Sequence, residues 1–124
     1  MIRSPALRGL LLLCLLGATS ARATTLLVLG DSISAAYGMS LEEGWVALLE
    51  RRLAGRTPPV TVINASISAE TTGGALRRLP QLLVTHEPDV VLIELGGNDG
   101  LRGFPIPRLR DNLASLATTA ARSG

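Results

Sequence analysis

The chain has 124 residues, which is enough for one small domain and too few for two. Its twelve basic residues are all arginines, and it has ten acidic residues. Three of the arginines lie within the first 23 residues. Without those three, nine arginines face ten acidic residues, so the rest of the chain has no basic field for nucleic acid. The sequence also has no metal-ligand cluster and no phosphate-loop pattern, so we expect neither a metal nor a nucleotide cofactor.

The first 23 residues have the features of a secretory signal peptide. Arg3 and Arg8 give a positive start, residues 10–16 form an apolar core too short to span a bilayer, and Ala21-Arg22-Ala23 fits an A-x-A cleavage site. A short membrane anchor is the alternative interpretation. The single cysteine, Cys14, lies in this core, so a chain cleaved after Ala23 has no disulfide. We therefore expect a periplasmic or secreted protein without a stable membrane anchor.

The remaining residues alternate between short apolar runs and amphipathic segments. Residues 25–29, 60–63 and 89–95 predict three strands, and the last run, DVVLIEL, is apolar on nearly every residue, as in strands buried on both faces. A capping box at Ser40-Leu41-Glu42-Glu43 predicts the start of a first helix, which Gly55 ends. The predicted inward face of this helix is Trp45, Leu48, Leu49 and Leu53.

Two further helices are predicted, one after the second strand and one after the third. Thr71 or Thr72 caps the earlier one, and Pro80 is expected to kink or split it. Their predicted inward positions are Leu76, Leu79, Leu82 and Leu83 in the first and Leu109, Leu113, Leu116 and Ala120 in the second. Alternating strands and helices imply a parallel sheet with right-handed crossovers. The predicted fold class is therefore α/β, with residues 24–124 belonging to one flavodoxin-like three-layer α/β/α domain.

A polar turn follows each of the three predicted strands. These turns are Gly30-Asp31-Ser32, residues 64–70 (NASISAE) and Gly96-Gly97-Asn98-Asp99. In a parallel sheet the carboxyl ends of the strands meet at one edge, where ligand crevices lie. A serine there can present its hydroxyl as a nucleophile, while its own N–H and the amide of Asn98 donate to a developing oxyanion. Taken singly, each side chain suits an ordinary helix cap or Asx turn, but the three turns together favour a site.

The strings GDSIS, NASIS and GGND, in this order, resemble the first three blocks of the SGNH, or GDSL, hydrolases. The longer strings LGDSISAAYGM, VINASISAETT and ELGGNDGLRG resemble one branch of that family, the bacterial periplasmic acyl-CoA thioesterases, arylesterases and lysophospholipases. The resemblance runs from Leu26 to about Gly103. It implies the SGNH hydrolase fold and the hydrolysis of a small acyl ester or thioester without a cofactor.

The resemblance also implies roles for individual residues. Ser32 would be the nucleophile and one oxyanion donor through its N–H, and Asn98 would be the side-chain donor. The family's glycine donor falls at Ala69, whose N–H remains available but whose Cβ is strained if the turn needs a positive φ. Leu101 and Phe104 are candidates for lining the acyl site, with a plain packing role as the alternative.

The general base is the missing part. Members of the family supply it from an Asp-x-x-His block near the end of a longer chain, and this sequence contains no such block. Its one histidine, His86, is predicted at the end of the second helix, away from Ser32. Asp31 and Asp99 are interpreted as carboxylates that accept local backbone N–H groups rather than as proton carriers. We therefore expect the N-terminal portion of a hydrolase, inactive by itself.

A second function stays open at this point. A flavodoxin-like module without catalytic activity would bind a small anion or an acyl group at the same three turns. The oligomeric state does not follow from the sequence.

Overall fold

The computed structural model describes residues 22–123, and nearly all of the predicted signal peptide lies outside them. The described part contains β1 (Thr24–Gly30), α1 (Trp45–Leu53), β2 (Val60–Asn64), α2 (Thr72–His86), β3 (Val90–Glu94), α3 (Gly97–Leu101) and α4 (Ile106–Ala121). A 3-10 turn at Leu41–Glu43 precedes α1. None of the helices between residues 22 and 123 is long and apolar enough to cross a membrane.

The three strands form one parallel sheet in the order β2-β1-β3. Leu26 in β1 is in register with Val62 in β2 and with Val90 in β3. Because crossovers between parallel strands are right-handed, connections from β1 to β2 and from β2 across β1 to β3 place their helices on opposite faces. Accordingly α1 packs on β2, while α2 packs on β1 and against α4. The predicted α/β class with a parallel sheet and helical layers is confirmed.

The core is centred on β1, whose residues Leu27, Val28 and Leu29 are fully buried. On one face, Leu29 packs with apolar side chains of α2 and α4, namely Ala75, Leu79, Leu83 and Leu116. It is also the central strand of the sheet, hydrogen-bonded to β2 on one side and to β3 on the other. The polar turn that follows β1 is therefore attached to the most enclosed element of the sheet.

The predicted inward face of α1 is wrong at Leu48, which is 52% exposed, whereas Val46 is only 4% exposed. The capping-box residues form a 3-10 turn at Leu41–Glu43, and the α-helix itself starts only at Trp45. The face that α1 buries is set by its packing on β2. Leu49 and Leu53 are half-buried as expected.

Two further expectations about local structure are corrected. Of the two outcomes expected at Pro80, a kink or a split, the split is wrong, because α2 runs unbroken from Thr72 to His86. The proline ring is exposed, so water can reach the carbonyl that lacks its helical partner. The polar turn after β3 is not a loop throughout, because residues 97–101 form α3.

Candidate active site

The turn that carries Ser32 is a single helical turn at the end of β1. The Ala35 N–H donates to the Asp31 carbonyl at 2.9 Å, and the Tyr37 N–H donates to the Ser32 carbonyl at 3.0 Å. Asp31 is 3% exposed, and its Oδ1 accepts from the Ile33 N–H at 2.9 Å. Asp31 thus accepts a local backbone N–H, as the sequence predicts, and Ser32 between these partners is partly exposed.

The same turn is also held in place through Ser34, a buried residue that is 1% exposed. The Ser34 hydroxyl donates to Glu94 Oε2 at 2.7 Å and accepts from Trp45 Nε1 at 3.1 Å. Asn64 Nδ2 donates to the Ser34 carbonyl at 2.8 Å. A Cβ on Gly30 would lie 2.6 Å from Ser34 Oγ and 2.9 Å from Glu94 Oε2, so only glycine leaves room for this approach.

The turn after β2, residues 65–70, lies beside the end of β1 because the Ile67 N–H donates to the Gly30 carbonyl at 3.1 Å. Arg78 braces it from α2. Its Nε contacts Glu70 Oε2 at 2.6 Å, and both of its terminal nitrogens donate to the Ala65 carbonyl at 3.1 Å. Within this braced turn, Ala69 has φ +65°. The sequence analysis expects strain at Ala69 only if the turn needs a positive φ, and the structure has that positive φ.

The turn after β3 is tied to the turn after β2 by Asn98, whose Nδ2 donates to the Glu70 carbonyl at 2.9 Å. Asp99, only 1% exposed, accepts from the Thr72 N–H at 2.9 Å and from the Thr72 hydroxyl at 2.6 Å. The expectation of a local partner for Asp99 is therefore wrong, because its partner lies at the start of α2. Asn112 in α4 completes this arrangement by donating to Thr72 Oγ1 at 2.9 Å.

These bonds leave three hydrogen-bond donors free at one edge of the sheet. Within residues 22–123, the N–H groups of Ser32 and Ala69 have no intramolecular acceptor. The Asn98 amide uses one of its two hydrogens on the Glu70 carbonyl, which fixes the amide and leaves the other hydrogen available. Fixed donors of this kind are what a developing negative charge requires.

The remaining predicted residues occupy different surroundings. Leu101, at the end of α3, is 87% exposed among residues 22–123. Phe104 is partly buried, and the Arg108 guanidinium lies 4.3 Å from the centre of its ring. His86 is the last residue of α2, just before the amino end of β3. It therefore lies at the opposite end of the parallel sheet from Ser32, as predicted.

A cavity of about 890 Å³ also lies at that opposite end, between Arg22, Glu87, Pro88 and Asp89. It does not include any of the three polar turns. The described residues contain no group of histidine, cysteine or carboxylate side chains able to hold a metal ion. The candidate site is therefore defined by the Ser32 hydroxyl and by the N–H donors of Ser32, Ala69 and Asn98, at the carboxyl ends of the strands.

The comparison with protein families identifies the class of protein to which this fold and this arrangement of three polar turns belong. The chain belongs to the GDSL-like Lipase/Acylhydrolase family, whose model matches residues 28–124. The resemblance seen in the three sequence blocks is thereby confirmed.

Particular relatives are similar over most of this chain. It is 53% identical to the esterase TesA of Pseudomonas aeruginosa over 123 residues, which cover 99% of this chain and 61% of that protein. It is 52% identical to an arylesterase of Vibrio mimicus, covering 95% of this chain and 59% of that protein. It is 54% identical to the thioesterase 1/protease 1/lysophospholipase L1 of Escherichia coli, covering 86% of this chain and 50% of that protein.

A crystal structure of TesA has the same fold, with a TM-score of 0.78 and 55% identity over 82% of this chain and 56% of that one. The chain thus spans between half and 61% of the length of these relatives.

Sequence reasoning missed the residues that support the three turns. They are Ser34, Trp45, Asn64, Thr72, Arg78, Glu94 and Asn112. One signal was available: Glu94 is a charged residue inside the otherwise apolar run VVLIEL. A carboxylate at the end of such a strand needs hydrogen-bond donors, and the nearest candidates are the neighbouring turns.

Proposed function

We propose that this chain carries the nucleophile and the oxyanion donors of a serine hydrolase that acts on carboxylic esters and acyl thioesters. The proposal is supported by the position of a serine hydroxyl and three N–H donors on turns at one edge of the sheet, which the Ile67–Gly30 and Asn98–Glu70 hydrogen bonds hold side by side. The two backbone donors are the N–H groups of Ser32 and Ala69, and the third is the Asn98 amide. A binding module for acyl groups would have no use for a serine hydroxyl among donors arranged for an oxyanion.

In this mechanism the Ser32 oxygen attacks the carbonyl carbon and forms a new C–O bond. The carbonyl oxygen becomes an oxyanion that the three donors stabilise, each contributing about 3 kcal/mol or more to the transition state. When the carbonyl re-forms, the bond to the alcohol or thiol breaks and the leaving group takes a proton. Water then hydrolyses the acyl-serine by the same sequence of steps and restores the hydroxyl.

The proton of Ser32 needs an acceptor, and the described residues place no histidine near it. His86 is the one histidine of the sequence and lies at the other end of the sheet. We infer that an Asp-x-x-His block outside this sequence supplies the base. The greater length of the relatives supports this inference.

The surroundings of Ser32 favour an acyl chain as the bound group. One exposed apolar side chain lies within each of the three turns or within two residues after it: Ile33 at 67%, Ile67 at 47% and Leu101 at 87%. Leu101 and Phe104 are proposed to line this surface. The names of the relatives point the same way, since they include an arylesterase and a thioesterase that is also a lysophospholipase. The proposed substrates are therefore small acyl esters and thioesters, bound without a cofactor.

We also propose that the protein is exported and cleaved after Ala23, because its first 23 residues have the features of a secretory signal peptide. Intact mass of the exported protein should show Thr24 as its first residue. A soluble protein that still begins at Met1 would contradict this proposal.

The decisive experiment uses the protein expressed from its complete reading frame. The wild type should hydrolyse p-nitrophenyl butyrate or a short acyl-CoA, and a fluorophosphonate should label the peptide that contains Ser32. Ser32→Ala should remove the labelling and lower kcat by roughly 10⁴-fold or more. His86→Ala is the matched control and should leave kcat within twofold.

The outcomes separate the alternatives. Activity that survives Ser32→Ala would overturn the nucleophile assignment. Activity that His86→Ala abolishes would make His86 the base. If the wild type neither reacts with the fluorophosphonate nor turns over substrate, the chain is a binding module instead.

A further inference from the structure

We propose that Glu94 is a positioning residue that sets the orientation of the Ser32 hydroxyl through Ser34. This inference rests on the proposed function, because it concerns how the proposed nucleophile is held. It assigns a role to a carboxylate that neither attacks the substrate nor transfers a proton.

The geometry starts from the position of Ser34. It lies two residues after Ser32 in the same helical turn and is 1% exposed. Three elements bind it: Glu94 at the end of β3, Trp45 at the start of α1 and Asn64 at the end of β2. We call Ser34 with these three partners the Ser34 anchor. The turn therefore cannot rotate about the end of β1 without breaking bonds to three separate elements.

Glu94 is the central partner because it acts on both ends of the turn. Its Oε2 accepts from the Ser34 hydroxyl at 2.7 Å and from the Asp31 N–H at 3.3 Å. Ser32 lies between these two residues. One carboxylate oxygen thus holds a backbone N–H before the nucleophile and a side-chain hydroxyl after it.

The direction of the hydrogen bonds makes an acceptor necessary at position 94. The Trp45 indole N–H can only donate, and it occupies Ser34 Oγ as an acceptor at 3.1 Å. The Ser34 hydroxyl must therefore give its own hydrogen to another group, and Glu94 Oε2 receives it. With Glu94 removed, that hydrogen has no partner in this buried position and the turn is free to shift.

A shift of the nucleophile by about 1 Å is enough to lower the rate about a hundredfold, even when substrate binding is unchanged. Glu94→Ala should therefore lower kcat by roughly 10- to 100-fold and change KM by less than twofold. Ser34→Ala should have an effect of the same size. The effects of the two changes should not multiply in the double variant, because both remove the Ser34–Glu94 bond.

The test measures kcat and KM for p-nitrophenyl butyrate in the protein from its complete reading frame, well below each variant's Tm. Glu94→Gln is the rescue variant, since its amide oxygen can accept both bonds, and it should recover kcat to within about fivefold of the wild type. Asp89→Ala is the matched control. Asp89 directly precedes β3, at the opposite end from Glu94, and its Oδ2 accepts from the Thr25 N–H at 2.7 Å. It should lower Tm and leave kcat unchanged.

The proposal is overturned if folded Glu94→Ala keeps the kcat of Asp89→Ala, or if Glu94→Gln is as slow as Glu94→Ala. If Glu94→Ala does not fold, Ser34→Ala decides, and a kcat equal to that of the wild type would overturn the proposal. Ser32→Ala, run in parallel, separates the two levels: its full activity would refute the proposed function rather than the role of Glu94.

Discussion

Ala69 holds a backbone conformation that L-residues other than glycine rarely adopt. Its φ of +65° places it in the left-handed region, which costs a residue with a Cβ about 1–2 kcal/mol. The turn accepts this cost because the Gly30 carbonyl holds Ile67 before Ala69 and the Arg78 guanidinium holds Glu70 after it. Strain of this kind, held by surrounding bonds, is typical of sites where a backbone N–H must point in a set direction.

Ala69→Gly should therefore stabilise the fold by about 1 kcal/mol, even though glycine gains freedom in the unfolded chain. Denaturant unfolding of the two proteins measures the difference. Ala65→Gly is the matched control, because Ala65 lies in the same turn without a positive φ. This variant should lower the free energy of unfolding by about 0.5–1 kcal/mol. A loss of stability in Ala69→Gly equal to that of the control would show that the left-handed strain is absent.

Asn98 has a role that depends on its two amide hydrogens. One hydrogen is spent on the Glu70 carbonyl, so the amide cannot turn and the other hydrogen keeps a fixed direction. Asn98→Ala in the complete enzyme should lower kcat by roughly a hundredfold or more, with little change in KM. Steady-state kinetics with p-nitrophenyl butyrate measure both constants.

Asn112→Ala is the comparison for that prediction. Asn112 also donates through its amide, but to the Thr72 hydroxyl and not into the crevice. It should lower stability and leave kcat close to that of the wild type. Equal effects of the two variants on kcat would remove Asn98 from the oxyanion site.

At the scale of the element, the capping box before α1 illustrates how local sequence acts on charge. The Glu43 carboxylate accepts from the Ser40 hydroxyl at 2.9 Å and from the Ser40 N–H at 3.1 Å. These two bonds, the hydroxyl first, lower the pKa of the Glu43 carboxyl below its ordinary value. They also join the ends of the 3-10 turn that leads into α1.

The sign of the pH dependence follows from that direction. Because the folded pKa lies below the unfolded value, the stabilisation is present at neutral pH and is lost as the pH falls through the folded pKa. Ser40→Ala should raise the pKa of Glu43 toward its ordinary value, as followed by NMR titration of the side-chain carboxyl. An unchanged pKa of Glu43 in Ser40→Ala would contradict this prediction.

At the scale of the molecule, the sheet order leaves β3 with one neighbour among the described strands. β1 pairs with one side of β3, and the other side has no partner within residues 22–123. An unpaired edge that is apolar and uncharged along most of its length is a template for pairing with another chain. In a flavodoxin-like order, further strands would follow on this side.

The segment from residue 24 to residue 124, expressed alone, should therefore associate through β3. Size-exclusion chromatography should show aggregates or insoluble material. Val90→Lys, at a position 49% exposed on β3, should increase the monomer fraction, because a charge at an edge opposes pairing. Thr61→Lys on β2 is the matched control and should not. A monomer with a sharp thermal transition would contradict the prediction.

The sequence by itself determined the order of the three strands and the three longer helices, and the meeting of three polar turns. Apolar periodicity is a local property, and the carboxyl ends of parallel strands share one edge whatever the packing. Ser32, Asn98 and the turn around Ala69 could therefore be placed together without a structure. The position of His86 at the opposite end followed from the same reasoning, since a helix between parallel strands ends where the next strand begins.

Only the tertiary structure decided which groups hold those turns in place. Ser34 and Glu94 are separated by 60 residues, and Thr72 and Asp99 by 27, so no local pattern indicates either pair. The rotation of α1 that buries Val46 and exposes Leu48, and the positive φ of Ala69, likewise depend on neighbours distant in sequence. A hydrogen bond between distant residues is set by the packing of whole elements. The local sequence supplies the donors and acceptors, and the fold selects which of them meet.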